Sequence, residues 1–279
     1  GSSMIRIITR LWSHPIGRLG LIAVGFNLLL FIFGPMLPPY DPEAFGFTAR
    51  LTGSSLAHPF GTDEFGRDVL SRVMVGSRNT IGFGVLSTLI GTTVGAAIGI
   101  VSGYFGGLFD EIVMRFADAF VAIPNLLLSM LIVIAIGVST GNAILAIAVS
   151  FAPSIARVAR STTLTIRQTD YVKAAEARGD STGYIVLREI APNVMAPVIV
   201  EGTIRISFAI MLGATLSYLG LGAQPPASDW GLLISEARQY MLRAPWLVAW
   251  PGLAIAVVSI GFNLLGDGLR DVLNPRVRD

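Results

Sequence analysis

Apolar stretches long enough to cross a lipid bilayer recur along this sequence. The hydrocarbon core of a bilayer is about 30 Å thick, so one spanning helix needs about 20 mostly apolar residues. With 53% hydrophobic and 14% charged residues among 279, the chain falls outside the usual composition of soluble domains. We therefore predict an all-α, polytopic membrane protein with six transmembrane helices. The predicted spans are Leu19–Leu37, 80–103, 112–137, 142–159, 195–219 and 246–266.

The basic residues predict which side of the membrane each connection faces. If the N-terminus is inside, the inner segments hold 13 Lys and Arg residues and the outer segments hold six. Cytoplasmic connections carry the excess of Lys and Arg, so both termini are predicted to be cytoplasmic. The resulting division is a cytoplasmic segment 1–18, a first transmembrane anchor 19–37, an external loop 38–79, a membrane core 80–269 with a cytoplasmic loop at 160–193, and a cytoplasmic tail 270–279.

Two features of the N-terminus bear on this division. Residues 1–3 look like a tag remnant, so they are left out of the reasoning. No small-residue cleavage site is evident after the first apolar stretch, and we interpret that stretch as an uncleaved anchor.

The residue types exclude several kinds of chemistry. The chain has no cysteine, and its two histidines, His14 and His58, lie far apart, so no metal site is predicted. The phosphate-binding motif Gly-x-x-x-x-Gly-Lys-Ser/Thr needs a lysine after glycine. The only lysine, Lys173, follows Val172. If ATP drives this protein, another subunit must bind it.

A polar stretch, Asp170–Asn193, interrupts the apolar segments. Asp170 is a good helix N-cap for a short helix over Tyr171–Arg178, which Gly179 would stop. Asp180 or Ser181 can cap a second short helix, and Pro192 is predicted to end it. The small residues Ala174, Ala175 and Ala177 would let another surface approach the first helix closely. The stretch is predicted to be a docking element on the cytoplasmic side.

Glycines and charged residues within the spans predict helix packing. The second span carries glycines at four-residue spacing on one helix face, where a neighbouring helix can come close. The partner of that face is either another helix of this chain, another subunit, or a contact that moves. Three charged pairs at helical spacing are predicted to be structural: Glu201–Arg205, Arg115–Asp118 and Asp267–Arg270. The four glycines are Gly91, Gly95, Gly99 and Gly103.

The segment His58–Arg78 is long and polar for a connector. Its residue types predict a turn followed by an amphipathic segment lying at the surface. One interpretation is a rigid cap without ligand contact, and the other is a surface that contacts a partner or substrate on the external side. The residues proposed for such a contact are Gly61, Thr62, Asp63, Gly66, Arg67 and Asp68.

The polar stretch resembles the Glu-Ala-Ala loop of ABC importer permeases. That pattern has a glycine four residues after the last alanine and a proline thirteen residues after the glycine. Lys173-Ala174-Ala175, Gly179 and Pro192 keep this spacing. The sequence departs from the pattern at Lys173, where glutamate is usual, and at Ala191, where leucine is usual. We expect these departures to affect which ATPase is preferred.

Four further motifs resemble the C-type subunit of the dipeptide/oligopeptide/nickel permease group, so the resemblance covers most of the chain. It implies a type I importer fold and a non-catalytic subunit in the bacterial inner membrane. The implied partners are a second homologous permease, two ATPase subunits that bind ATP and Mg, an external solute-binding protein and a peptide substrate, with no nucleic acid. The motifs are HPFGTDEFGRDVLSR, GYFGGLFDEIVMRFAD, SYLGLGAQPP and PGLAIAVVSIGFNLLGDGLRDVLNPR.

The resemblance also implies which residues contact an ATPase. They lie on and just after the first helix of the polar stretch: Tyr171, Lys173, Ala174, Ala175, Ala177, Arg178 and Gly179. Two alternatives remain at this point, a self-sufficient secondary transporter or channel and an intramembrane enzyme. The second has no Cys, no His within a span and no Ser–Lys pair in the membrane. Substrate identity cannot be read from the sequence.

Overall fold

The computed structural model describes residues 2–273, and the regular secondary structure in them is helical. Residue 1 and the last six residues of the predicted tail lie outside the described residues. The α-helices are α1 (Ser2–Ser13), α2 (Pro15–Phe33), α3 (Val69–Phe105), α4 (Gly107–Val121), α5 (Asn125–Ile136), α6 (Thr140–Arg167), α7 (Asp170–Ala177), α8 (Thr182–Tyr184), α9 (Ala191–Tyr218), α10 (Trp230–Ala237) and α11 (Trp246–Leu273).

Five helical segments are long and apolar enough to cross a membrane, and a bent helix pair supplies a sixth if it counts as one span. The predicted span 112–137 is wrong as a single helix, because α4 and α5 meet at an angle of 96°. Pro124 is the N-cap of α5. Proline lacks the backbone N–H that a continuous helix needs and disfavours helical geometry in the residue before it, so the helix breaks there although the apolar run continues.

One helix extends beyond its predicted span, and one predicted helix end is wrong. The helix that holds the second span begins at Val69, eleven residues before the predicted start. Asp68 caps it, with its side chain accepting a hydrogen bond from the Ser71 N–H at 2.9 Å. Near the end of the polar stretch, Pro192 does not end a helix. A π-helix, Ile185–Ile190, leads directly into α9, and Pro192 lies in the first turn of α9, where the helix continues past it.

The charged pairs predicted within the spans have mixed outcomes. Glu201 and Arg205 pair at 3.0 Å, as predicted, and Asp267 and Arg270 are 4.0 Å apart. The Arg115–Asp118 pair is wrong. Arg115 bonds Glu111 at 2.8 Å, one full turn before it, and Asp118 pairs with Arg157 of α6 at 3.3 Å. Residues three and four apart are both neighbours on a helix face, so Glu111 and Asp118 are alternative partners for Arg115. Arg157 of α6 pairs with Asp118 and leaves Arg115 to Glu111.

Buried side chains form three clusters along the helix bundle. One lies at the end of the bundle that carries α7, and it includes Val172, Ala175, Ile185, Ile190 and Val194. A middle cluster is built around Phe83 and Phe151. The third lies at the opposite end, around Trp230, whose indole N–H donates to the Val73 carbonyl at 2.9 Å. Both ends of the bundle therefore have packed cores that can hold a surface element rigidly.

Candidate functional site

Helix α7 has one face buried in the chain and one face exposed. Val172 and Ala175 have no exposed surface, and they pack in the cluster with Ile185, Ile190 and Val194. Residues three apart share a face of an α-helix, which is why these two point inward together. Ala175 was predicted to contact an ATPase, and that prediction is wrong. It holds the helix against the bundle instead.

The remaining predicted contact residues lie where a partner could reach them. Tyr171 is 43% exposed. The other predicted contact residues are also exposed: Lys173, Ala174, Ala177, Arg178 and Gly179. Two of them are alanines on one face, so a partner's backbone could come close to the helix there. The exposed face carries small side chains at its centre and polar side chains at its rim.

The ends of α7 are fixed by local backbone geometry. Gly179 has a positive φ of 77°, which glycine adopts without steric cost, and the Asp180 N–H donates to the Ala175 carbonyl at 3.2 Å. The helix begins at Asp170 itself, and Thr169 is the N-cap, so the predicted role of Asp170 as cap is wrong. Ser181 caps the next turn by accepting from the Tyr184 N–H at 3.3 Å, as one of the two predicted alternatives.

Two exposed apolar residues beside α7 were missed by sequence reasoning. Tyr184 and Leu187 are 48% and 70% exposed, and both lie on the helical segment that follows Gly179. Their three-residue spacing places them near one another on the helix surface. The apolar run at 184–187, inside a polar stretch, was the signal that could have found them. They extend the exposed surface of α7 along the chain.

Ionic contacts tie the α7 end of the bundle together. Arg167, at the end of α6, donates to the Tyr104 carbonyl of α3 at 2.7 Å, and its guanidinium lies 5.4 Å from the Tyr104 ring centroid. Arg160 bonds both carboxylate oxygens of Asp110 at 2.6 Å, and the Ser102 hydroxyl donates to the same carboxylate at 2.5 Å. Through these contacts α3, α4 and α6 are joined just beside α7.

The glycines of α3 lie against α6 at regular intervals. Idealised Cβ atoms on Gly91 and Gly103 would lie 2.9 and 3.0 Å from the carbonyl oxygens of Ala148 and Arg160. Gly95 and Gly99 face the carbonyls of Ala152 and Ala156 in the same manner. Both series advance by four residues, so the two helix backbones run side by side at close distance. The glycine face thus packs within this chain.

At the opposite end, Asp63 organises a buried network of charges. One carboxylate oxygen accepts from the Phe65 and Arg67 N–H groups, both at 2.9 Å. The other accepts from Arg67 Nε at 2.7 Å and from a terminal nitrogen of Arg72 at 3.1 Å. Arg72 also reaches Glu236, 3.1 Å away in α10. The network joins the loop before α3, the start of α3 and α10.

The predicted external contact residues are the interior of this loop. All six are buried: Gly61, Thr62, Asp63, Gly66, Arg67 and Asp68. The prediction of an amphipathic segment lying at the surface is wrong, because Asp68 and the following helix are enclosed by the loop and α10. Arg72 and Glu236, which complete the network, were missed by sequence reasoning. Nothing local in the sequence marks a contact between residues so far apart.

Comparison with known proteins identifies the family of the chain. Residues 95–279 match the family described as "binding-protein-dependent transport system inner membrane component". The chain belongs to this family. It is therefore a multi-pass permease of the inner membrane.

Curated relatives match this permease over nearly its whole length. It is 41% identical to the probable D,D-dipeptide transport system permease protein DdpC of Escherichia coli, over 97% of this chain and 91% of that protein. It is 38% identical to the dipeptide transport system permease protein DppC of Alkalihalophilus pseudofirmus, over 96% and 88%. It is 42% identical to the glutathione transport system permease protein GsiD of Shigella flexneri, over 94% and 88%.

A solved structure shows that the fold of this permease is shared. The methionine ABC transporter MetNI, in an inward-facing conformation, matches with a TM-score of 0.59 at 19% identity, over 73% of this chain and 97% of that chain. The all-α prediction and the type I importer permease fold are confirmed. The permease is a non-catalytic transport subunit, and ATP hydrolysis belongs to separate subunits of such importers.

Proposed function

We propose that this permease forms half of the membrane pathway of an ATP-driven importer of dipeptides and oligopeptides. A second homologous permease forms the other half, two ATPase subunits bind ATP and Mg and dock at α7, and an external solute-binding protein delivers the peptide. The names of the relatives support a peptide or peptide-like substrate, since they specify D,D-dipeptides, dipeptides and glutathione. The alternative of a self-sufficient transporter or channel has no support in the comparisons.

The orientation in this proposal places α7 and both termini in the cytoplasm. The end of the bundle that carries α7 also carries Arg160 and Arg167, at the end of α6. Lys173, Arg178 and Arg188 follow in the polar stretch. An excess of Lys and Arg is characteristic of cytoplasmic connections. The network around Asp63 then faces the external side.

The observation that carries the coupling role is the two-faced burial of α7. Because Val172 and Ala175 are fully buried against the helical segment that continues into α9, a push on the exposed face of α7 moves α9 directly. Arg167 and Arg160 connect the preceding helix to α3 and α4. Closure of an ATPase pair beneath α7 can therefore rock the spans between inward-open and outward-open states, as rigid elements do in alternating access.

The proposal is tested with bulky substitutions on the exposed face of α7. Ala174→Trp and Ala177→Trp add large side chains where a partner's backbone would approach, and neither alanine belongs to the buried cluster. We expect both variants to lose the ATPase subunits on co-purification and to lose ATPase stimulation by the solute-binding protein. Thr9→Trp, at an exposed position of α1 on the same side, is the matched control.

The readouts separate docking from folding. Unchanged thermal unfolding of the detergent-solubilised permease would show that the tryptophans leave the fold intact. If Ala174→Trp and Ala177→Trp retain the ATPase subunits and full solute-stimulated hydrolysis, α7 is not the docking element. A binding assay of the solute-binding protein against dipeptides, longer peptides and glutathione tests the substrate class separately.

A further inference from the structure

The loop between α2 and α3 displays three phenylalanine rings on its outer surface. Phe45, Phe47 and Phe65 are 58%, 68% and 38% exposed. Phe45 stacks on Phe47 with a centroid distance of 5.8 Å and meets Phe65 edge to face at 5.4 Å. The Arg50 guanidinium lies 5.6 Å from the Phe47 centroid. These four residues are named the phenylalanine patch.

The buried network of Asp63 holds this patch in place. The Phe65 N–H donates to the Asp63 carboxylate at 2.9 Å, and the Phe65 carbonyl accepts from the Gly46 N–H at 3.0 Å. Arg50 Nε donates to the Glu64 carbonyl at 2.8 Å. Gly66 has a φ of 75°, and a Cβ added to it would overlap the Gly46 carbonyl group, so no side chain would fit. The rings are therefore presented by a preorganised backbone, which lowers the entropy cost of binding.

Contacts along α3 show how far the patch lies from the membrane. The end of α2 is level with Arg78, whose terminal nitrogen bonds the Ile32 carbonyl at 2.9 Å. From Arg78 back to Asp68 the helix rises by about 15 Å, at about 1.5 Å per residue. The loop runs alongside this part of α3, since the Tyr40 N–H donates to the Ser71 hydroxyl at 3.0 Å. Phe45 follows Tyr40 in the chain. The patch therefore lies outside the hydrocarbon layer, where lipid chains cannot cover it.

We infer that the phenylalanine patch is a docking site for the external solute-binding protein, an inference that rests on the proposed function. The family is binding-protein-dependent, so a soluble partner must meet the permease at the end opposite α7. Aromatic residues and arginine supply most of the binding energy at protein interfaces. The six buried loop residues hold the patch and make no contact with the partner themselves.

The chemistry of the patch specifies the surface that it fits. The three rings form an exposed apolar surface for the partner. Among the contacts of the described residues, Arg50 donates only its Nε–H, so its terminal amino groups are free to bind a carboxylate. The matching surface of the solute-binding protein is thus an apolar area with an acidic residue at its edge.

The test uses the complete importer in nanodiscs and the solute-binding protein that stimulates ATP hydrolysis by the wild-type complex. The variants are the double substitution Phe45→Ser/Phe47→Ser and the charge reversal Arg50→Glu. Leu56→Ser and Leu242→Ser are matched controls, because both leucines are fully exposed at the same end of the permease. We expect the concentration of solute-binding protein that gives half-maximal ATPase activity to rise by about tenfold or more in each patch variant, as for interface hot spots. The maximal rate should be retained, and the controls should shift less than about twofold.

The outcomes are distinguishable. Unchanged half-saturation in both patch variants, with the wild-type complex normally stimulated, overturns the inference and leaves the proposed function standing. Loss of the second permease from the purified variant complexes assigns the patch to the contact between permeases and also overturns it. A wild-type complex that no solute-binding protein stimulates overturns the proposed function, and the inference with it. Arg50→Glu, which changes no buried group, guards against misfolding of the double variant.

Discussion

Arg160 of α6 donates hydrogen bonds to both carboxylate oxygens of Asp110 in α4, each at 2.6 Å. The Ser102 hydroxyl of α3 donates to the same carboxylate. Asp110 is buried, whereas the Arg160 side chain keeps 32% of its surface exposed. A bidentate pair of this kind fixes the orientation of both groups, so it anchors α4 before the break at Pro124.

Removing the cation of this pair should destabilise the fold. Arg160→Met leaves the Asp110 carboxylate buried without its partner, and we expect the free energy of unfolding to fall by about 1–3 kcal/mol, less than for fully buried pairs because Arg160 is partly solvated. The double variant Asp110→Leu/Arg160→Met should recover much of the loss. Denaturant unfolding in detergent, followed by tryptophan fluorescence, measures this. The exposed Glu111–Arg115 pair of α4 is the control, and Arg115→Met should have no measurable effect. If the separate effects of Asp110→Leu and Arg160→Met add up to the effect of the double variant, the two residues are not energetically coupled.

The close packing of α3 on α6 predicts a large effect from a single methyl group. At Gly99 an added Cβ would lie 2.8 Å from the Ala159 Cβ and closer still to the Ala156 carbonyl oxygen. We expect Gly99→Ala to cost about 1–3 kcal/mol of unfolding free energy through overpacking. Gly252→Ala in α11 is the matched control, because nothing lies within 4 Å of its added Cβ. Thermal unfolding of the two variants in the same detergent compares them, and an equal effect at both sites would show that the glycine face is not tightly packed.

The sequence located the spans but not the break within one of them. Hydrophobicity reports where a chain can lie in lipid, and it is continuous through Ala122 and Ile123 although the helix bends by 96° at Pro124. In the same way, spacing predicted that the α7 stretch is a docking element. It did not distinguish Ala174 from Ala175, because that depends on which face meets the cluster around Ile185.

The loop before α3 shows the limit of local patterns most clearly. Its polar residues indicate a surface segment when they are taken alone. Arg72 reaches Glu236 across 164 residues of sequence, and that contact encloses Asp63 in the interior. The residues that a partner can reach are then the apolar rings of Phe45 and Phe47. Only the folded chain shows this inversion.

The loop should also respond to pH through Glu64. Burial raises the pKa of the Glu64 carboxyl above its ordinary value of 4.5, and the neighbouring charges of Asp63 and Glu236 add to the effect, against the opposing effect of Arg67. The protonated form therefore favours folding below pH 4.5, and this contribution is lost as the pH rises through the folded-state pKa. Glu64→Gln should be more stable than wild type at neutral pH and should lack that part of the pH dependence. Melting temperatures measured across the acid range test this.

A matched acid separates this effect from a general loss of charge. Glu43 lies in the same loop and is exposed. Glu43→Gln should therefore leave the pH profile of the melting temperature as it is in the wild type. A Glu64→Gln profile that keeps the wild-type slope would show that Glu64 is not the group responsible.

The charge at Lys173 should set the strength of ATPase docking. Lys173 is exposed on α7 and stands where the loop pattern that this stretch resembles has glutamate, so the proposed ATPase docking surface is expected to favour a cation there. Lys173→Glu should leave the unfolding free energy within about 0.5 kcal/mol of wild type, as at other surface sites. The affinity for the ATPase subunits should fall by about tenfold at low salt, and the loss should shrink at high salt because ions screen the repulsion. Lys173→Gln should lie between the two. Equal affinity of all three proteins at every salt concentration, measured by titrating ATPase subunits onto the permease in nanodiscs, would place Lys173 outside the docking surface.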